Sequence, residues 1–383
     1  MVKAMASLPV YTVAEINLDN LRYNYRLISQ KVAPAKVMAV IKADAYGHGA
    51  LAVGRALAEA GAQYFAVARV SEAVELRQAG FYQPLLIFGS LFPDEMEVAL
   101  QQGCRITLAS ENDLANLLKI CADSRLNAKV HLKIDTGMGR VGILVNEARE
   151  FIKKAASRSE IFIEGIYTHF ATADSADKTF ALWQLEQFKK LRSAIISDGL
   201  QIPYFHAVNS GAILDLPETF FDMVRPGIAL YGHYPTTETS ESLPIRPVMT
   251  LKTRVVAIRR LPPGSSISYG RRYITQQETA IAVLPIGYAD GISRKFTNIG
   301  KVMLNGKYYP IAGTVTMDQI MVDVGNDPIA IGDTAYFWGE SPHGVISATK
   351  VAAEIGTIAY ELCCAVSRRV PRVYLSQSPN DID

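Results

Sequence analysis

Between Lys36 and Arg225 two hydrophobic patterns alternate along the chain. Short, continuous apolar runs, partly β-branched, fit strands buried on both faces. They fall at 37–41, 64–68, 85–88, 106–109, 130–134, 161–167, 204–207 and 221–224. Between them apolar residues recur every three or four positions, which predicts helices. These cover 71–79 with Ser71 as N-cap, 94–101, 111–122 after an N-cap at Ser110, 146–156, 177–196 and a short stretch at 211–214. A further helical pattern spans 16–32, ahead of the first strand. Eight strand–helix units fit the α/β class and a (β/α)8 TIM-type barrel. An open doubly wound sheet shows the same alternation, but the count favours the barrel.

From Pro247 the texture changes. Strand-like runs at 250–261, 280–284, 301–304, 307–311, 319–324 and 334–338 are separated by turns, and Asn305-Gly306 between two of them is a strong hairpin signal. This half reads as a mainly β C-terminal domain. Prolines at 244 and 247 interrupt regular structure at the junction. The expected division is a barrel over 12–245 and a β domain over 246–383, to which residues 1–11 could join. No repeat, low-complexity tract or long charge run breaks this plan.

Composition narrows the class. At 383 residues the chain is long enough for two domains, and 49% hydrophobic against 20% charged residues describes a globular protein with an ample core. A net charge of +2 offers no bulk attraction to nucleic acid or to an anionic membrane, so neither is an expected partner. The first residues lack the apolar core of a secretory signal and no run of 18 apolar residues occurs, which points to the cytoplasm. The four cysteines, Cys104, Cys121, Cys363 and Cys364, are too few for a disulfide framework, and their spacing matches no zinc pattern; no metal is expected.

Candidate chemistry collects where the barrel strands end, the edge at which such folds bind ligands. Lys42 follows the first strand and opens Lys42-Ala-Asp-Ala-Tyr46-Gly47-His48-Gly49, a glycine-rich loop before a helical pattern. Taken alone, Lys42 is as well explained by a snorkelling or paired lysine. In a low-dielectric pocket it would lose its proton readily and become a nucleophile and base. Lys133 and Arg140 follow the fifth strand, His169 and Asp174 the sixth, Asn209-Ser210-Gly211 the seventh, and Arg225-Pro-Gly227-Ile228 the eighth. In the second half stand Ser268-Tyr269-Gly270, Tyr288, Thr316-Met317-Asp318 and Ile358-Ala-Tyr360. Each has a structural explanation when taken singly.

Jointly, in order and spacing, these segments resemble the alanine racemases from about Thr12 to Tyr374. Members of that family hold pyridoxal 5′-phosphate (PLP) on a lysine matching Lys42. The resemblance implies that Tyr46, Ser210, Gly227, Ile228 and Tyr360 cradle the phosphate, with Asn209 also on the cofactor side. It implies that Arg225 faces the pyridine nitrogen. Because an arginine does not give up its proton, that nitrogen would stay unprotonated, which weakens the electron sink and suits racemisation. His169 would link Arg225 to the catalytic tyrosine. Arg140 would bind the substrate carboxylate or position the catalytic tyrosine, with the Met317 backbone N–H a second carboxylate donor. Lys42 and Tyr269 would serve as the two bases on opposite faces of the substrate carbon, with positive charge near Tyr269 favouring its phenolate. The resemblance further implies a head-to-tail homodimer with shared sites, and a role in supplying D-alanine for peptidoglycan. Lys133 matches a position often carbamylated in the family. One departure stands out: Thr314 occupies a corridor position where many relatives have arginine, although Asp174, Tyr288, Arg294 and Ile358 match.

The nearest rival reading is a broad-specificity or serine racemase, although the bulk and hydroxyl of Tyr360 lean toward alanine. A PLP amino-acid decarboxylase would carry a cysteine and a glycine-rich phosphate loop not found here. A non-catalytic PLP-binding barrel would resemble only the first domain.

Overall fold

The computed structural model describes residues 11–377, which divide into two units: a barrel over Leu21–Ile245, and a second unit that combines the described residues before Leu21 with those from Arg246 onward. The barrel therefore begins at Leu21 rather than at residue 12. The reason is a strand, Val13–Asn17, whose last two residues fall in what the sequence reads as a helix from residue 16; the helix itself is Leu18–Val32. Val13–Asn17 pairs antiparallel with Met249–Arg254 and parallel with Arg372–Leu375, so it belongs to the second unit's sheet. Residues 1–10, also expected to join that domain, lie outside the described residues.

Eight parallel strands build the barrel: Lys36–Val40, Tyr64–Val67, Leu85–Ile87, Arg105–Leu108, Ala128–Asp135, Ile161–Tyr167, Tyr204–His206 and Met223–Val224. The first seven pair in order, and the eighth pairs with the first. Between the seventh and eighth the ladder reduces to isolated bonds, Asp222 N to Phe205 O (3.1 Å) and Arg225 N to Val208 O (2.9 Å), with the Asp222 carboxylate accepting from Phe205 N (2.8 Å). The expected alternation of eight strands and helices is thus present.

The helices follow from their apolar spacing. Val145–Ala156 buries Ala148, Phe151, Ile152 and Ala155, one stripe at i, i+3, i+4 and i+7. Glu111–Ser124 starts as expected at Ser110, whose hydroxyl accepts from Asp113 N. The helix near Ser71 starts one residue earlier than expected, at Val70. Ser71 is not its cap; the Glu72 carboxylate reaches back to Ala68 N (2.8 Å) and Arg69 N (3.0 Å) and satisfies those donors instead.

In the second unit, the six-strand path runs Lys307–Pro310, Lys301–Leu304, Thr334–Ser341, Met249–Arg254, Val13–Asn17, Arg372–Leu375. A separate sheet contains Ala257–Leu261, Thr279–Leu284 and Ile320–Gly325. The apolar run at 250–261 is therefore two strands. Val255 N bonds Asp333 O and Val256 N bonds Val283 O, so consecutive residues leave one sheet and enter the other. The hairpin at Asn305-Gly306 is present, with Leu304 facing Lys307 and both turn residues at positive φ (49° and 83°). Among the described residues, no helix is long and apolar enough to cross a membrane.

Candidate active site

Lys42 stands directly after the first barrel strand and opens a left-handed turn. Ala43, Asp44, Ala45 and Tyr46 all have φ between 52° and 55°, where the sequence suggests an ordinary loop. Left-handed backbone costs about 1–2 kcal/mol per non-glycine residue, so four in succession must be held by their surroundings. The holding groups are on hand. The Glu72 carboxylate accepts from Ala43 N (2.5 Å), and Asp44 accepts from Ala50 N (2.7 Å). His48 Nδ1 lies 3.0 Å from Ala45 O and 2.9 Å from Tyr46 O. Both are acceptors, so Nδ1 carries the proton. The Tyr46 ring meets that of Tyr231 at 4.9 Å, and the Tyr231 hydroxyl donates to Val40 O (3.0 Å).

This turn brings Tyr46 to the end of the eighth strand. A Cβ on Gly227 would come within 2.4 Å of the Tyr46 hydroxyl oxygen, so only glycine allows the approach. Ser210 Oγ accepts from Gly227 N (3.0 Å) and Ala229 N (3.3 Å), and Ile228 between them is fully buried. Tyr46, Ser210, Gly227 and Ile228 are therefore neighbours, a set of hydroxyls and backbone N–H groups of the kind that holds a phosphate. Asn209 caps the helix Ser210–Asp215, its side-chain oxygen accepting from Ala212 N (3.1 Å).

Beside this cradle, the buried Arg225 guanidinium is fixed by His206 Nδ1 (2.8 Å), Thr168 O (2.7 Å), Ala207 O (3.0 Å) and, at 3.4 Å, His169 Nδ1. Burial lowers Arg225 to about 10, which leaves it cationic at neutral pH. His169 is driven well below the ordinary histidine range by burial, then by Arg225, Lys133, Arg140 and Lys42. It is neutral there, and the Arg225 and Arg140 guanidiniums favour an anionic ligand. Burial, aided by Arg225 and Arg140, brings Lys133 down to about 7. Its ammonium nitrogen has no hydrogen-bond partner among the described residues and sits 4.9 Å from the Tyr167 ring centre.

Arg140 lies on an exposed loop folded by Asp135, whose carboxylate accepts from Gly137 N (2.8 Å) and Gly139 N (2.9 Å). Burial acts to raise the Asp135 carboxyl, but those backbone donors and Lys133 outweigh it and hold the group below its usual value.

Tyr269, Met317 and Tyr360 belong to the second unit. Tyr269 sits between the short strands Ser266–Ile267 and Tyr273–Ile274, 76% exposed, in a turn where Ser268 (φ 62°) and Arg271 (φ 49°) are left-handed. Met317 is half exposed, and Tyr360 is in the first turn of the helix Ala359–Ala365. Thr314, flagged as a departure from the racemase pattern, is buried against this turn. Its hydroxyl donates to Tyr269 O and its carbonyl accepts from Ser268 Oγ, each at 2.7 Å.

Sequence reasoning missed Arg105, Glu164 and His206, and assigned no role to His131, though all four lie on barrel strands and link in series to Arg225 through His206. The available signal was a charged or imidazole side chain inside an apolar strand, as in Ile-Phe-Ile-Glu164-Gly, which must be paired when buried.

Comparison with known proteins agrees with this arrangement. The family "Alanine racemase, N-terminal domain" matches residues 16–235, and "Alanine racemase, C-terminal domain" matches residues 248–374. An alanine racemase from Halothermothrix orenii is 43% identical over 365 residues, covering 95% of this chain and 96% of that protein. The structure of alanine racemase from Clostridium difficile 630 superimposes with a TM-score of 0.90 at 40% identity, covering 97% of each chain. That from D-cycloserine-producing Streptomyces lavendulae gives 0.92 at 34% identity, covering 98% of this chain and all of the other. With both family domains matched in order along nearly its whole length, the chain belongs to the alanine racemase family.

Proposed function

We propose that this protein interconverts L-alanine and D-alanine with PLP as cofactor, in the cytoplasm, and supplies D-alanine for peptidoglycan. The observation that carries the reading is Lys42 at a strand end, fixed by a left-handed turn beside the Tyr46–Ser210–Gly227 cradle and the Arg225 guanidinium. The residues fit PLP: the cradle suits a phosphate, and the missing Cβ of Gly227 lets the Tyr46 hydroxyl into that cradle. PLP held at Lys42 would supply an electron sink for the pair left on the substrate carbon when its proton departs.

The chain's own residues do the rest. Tyr46, Ser210 and the backbone N–H groups around Gly227 and Ile228 bind the phosphate, joined by Tyr360, with Asn209 holding the helix that carries Ser210. Arg225 faces the ring nitrogen and, being always a donor, leaves it unprotonated. Arg140 and the Met317 N–H orient the substrate carboxylate. Lys42 moves the proton on one face and Tyr269 on the other, the minimum that inversion at one carbon requires. His169 stands between Arg225 and the tyrosine side as a neutral link. Tyr269 is supplied by a second copy of the chain in a symmetric homodimer with two composite sites.

Thr314 in place of a corridor arginine favours a wider substrate range as the second reading. Incubating the PLP-loaded protein with L-alanine, L-serine and L-lysine, with chiral analysis of the products, separates the two. D-alanine should form far faster than the other D-amino acids. Comparable rates for serine or lysine would favour the broad-specificity racemase, and no racemisation of any of the three would refute both.

A further inference from the structure

Behind Arg225 a continuous polar chain crosses the barrel interior. Arg225 Nη1 is 2.8 Å from His206 Nδ1, His206 Nε2 is 2.8 Å from His131 Nδ1, and His131 Nε2 is 3.2 Å from Glu164 Oε2. Glu164 is held from its far side by Arg105, through Nε at 2.9 Å and Nη2 at 3.1 Å. His131 and His206 are fully buried and Glu164 nearly so.

The ends of this chain dictate its middle. An arginine only donates and an ionised carboxylate only accepts. His206 must therefore accept at Nδ1 and donate from Nε2, and His131 must likewise accept at Nδ1 and donate from Nε2 to Glu164. One neutral tautomer of each ring satisfies all three contacts, and any other arrangement sets two N–H groups or two lone pairs against each other. Desolvation by burial opposes charging either ring, and the Arg225 charge adds to it. Glu164 lies well below the ordinary carboxyl range, at about 2; burial acts to raise it, but the His131 and Arg105 hydrogen bonds prevail.

The fold makes room for this arrangement. A Cβ on Gly165 would come within 2.5 Å of His131 Nδ1, so glycine is required there. The pairing of the fifth and sixth strands shifts register between Val130 and His131, the position from which the imidazole enters the core. The His206 ring lies parallel to that of Tyr167, with centres 4.9 Å apart and planes 5° apart. Stacking thus sets the plane of His206, but it leaves the choice of tautomer to the hydrogen bonds.

We propose that Glu164, anchored by Arg105, is a positioning residue for Arg225: through His131 and His206 it fixes the acceptor that holds the guanidinium toward the cofactor ring. The proposal rests on the reading that Arg225 faces the ring nitrogen. Glutamine would not break the chain, because Glu164 Oε2 accepts from both Arg105 Nε and His131 Nε2, and an amide oxygen at that place could keep both bonds. The informative variant is Glu164→Leu combined with Arg105→Leu, which removes the acceptor and leaves no charge buried alone. The His131 Nε2–H then has no acceptor. Moving that proton to Nδ1 relieves it, but the His206 proton must follow to its own Nδ1, where it opposes the Arg225 N–H and displaces the guanidinium.

The test uses PLP-loaded enzyme carrying ¹⁵N-labelled histidine, with resonances assigned by single histidine substitutions. In the unmodified protein His131 and His206 should both appear neutral and protonated on Nε2; a His206 proton on Nδ1, or a charged His206, overturns the relay without reference to any variant. In the Glu164→Leu, Arg105→Leu double variant the two resonances should move toward the Nδ1–H form and the visible band of the bound cofactor should shift. kcat should fall about 10- to 100-fold with the alanine KM within about twofold, the scale expected of a misplaced site group. A folded double variant with full cofactor content and unchanged tautomers, band and kcat overturns the proposal. Arg225→Lys separates the two assignments: if it leaves the band and kcat at their original values, the placement of Arg225 at the ring fails and the functional half of the proposal falls with it. A wrong tautomer pattern removes the relay and leaves that placement standing.

Discussion

The Thr314 hydroxyl donates to the main-chain carbonyl of Tyr269 at 2.7 Å, while the Thr314 carbonyl accepts from Ser268 Oγ at the same distance. These two bonds clamp a turn that contains left-handed Ser268 and Arg271 and carries the exposed Tyr269 side chain. The position that lacks the corridor arginine therefore contributes rigidity beneath the proposed second base. Thr314→Val keeps the shape and removes the donor. It should destabilise the second unit by about 1 kcal/mol and lower kcat by about 10-fold through misplacement of Tyr269, whereas Thr314→Ser should remain near the original in both. Thermal melts and steady-state kinetics on the two variants decide the matter, and equal kcat for valine and serine would count against the clamp.

Gly227 admits a second test, confined to the barrel. Its missing Cβ is what lets the Tyr46 hydroxyl approach, since a methyl there would stand 2.4 Å from that oxygen. In Gly227→Ala, Tyr46 must move, at about 1–3 kcal/mol of overpacking, and the phosphate cradle opens. Titration of the purified apoprotein with PLP, followed by absorbance, should show affinity weakened by about 10-fold or more, 1.4 kcal/mol being a factor of ten. Wild-type affinity would mean that Tyr46 is not a phosphate ligand.

Lys133 gives a pH-dependent prediction with a definite sign. Burial lowers its amine to about 7 from an ordinary 10.5. Between those values the unfolded chain binds a proton that the folded chain does not, so the group's contribution to stability rises with pH across this window. Below about pH 7 the full penalty of a buried, unpartnered ammonium applies, on the order of a few kcal/mol. Lys133→Met should thus be more stable than the parent by its greatest margin below pH 7, and the margin should shrink toward pH 10.5. The neutral amine can also add CO₂, forming a carbamate and releasing a proton, which would place a negative charge near Arg140. Chemical denaturation at several pH values, with and without bicarbonate, reads both effects. Bicarbonate should stabilise the parent and leave Lys133→Met unchanged; a margin that does not vary with pH would refute the buried-ammonium account.

The barrel was legible in the sequence because strands buried on both faces leave continuous apolar runs, and all eight fall within a few residues of their expected places. Two errors share one cause. The strand Val13–Asn17 and the break near Val255 are set by pairing with distant segments, and neither leaves a local periodicity. At the site, Lys42, Tyr46, Ser210 and Arg225 stood beside recognisable turns at strand ends. The Glu164–His131–His206 chain was hidden because its members lie on three different strands, and only the barrel brings them into line. The left-handed turn after Lys42 was hidden for a further reason: alanine, aspartate and tyrosine do not favour that backbone, and what holds it includes Glu72, almost thirty positions away.

The last prediction concerns how one substrate carbon is reached by both bases. Lys42 is on the barrel and Tyr269 on the second unit. If the proposed homodimer is head-to-tail, each site takes Lys42 from one copy and Tyr269 from the other, and symmetry makes two such sites per dimer. Homodimers of Lys42→Ala should be nearly inactive, and so should those of Tyr269→Ala, because each site lacks one base. A mixed dimer differs: one of its sites lacks both bases and the other retains both. Mixing the two inactive proteins under conditions that allow subunits to exchange should therefore restore activity. With random pairing half of the dimers are mixed and each carries one intact site, so recovery should approach about a quarter of the original activity. Exchange is verified independently with differently tagged subunits. If exchange proceeds and activity stays absent, Tyr269 does not act across a subunit boundary, and the shared site is refuted.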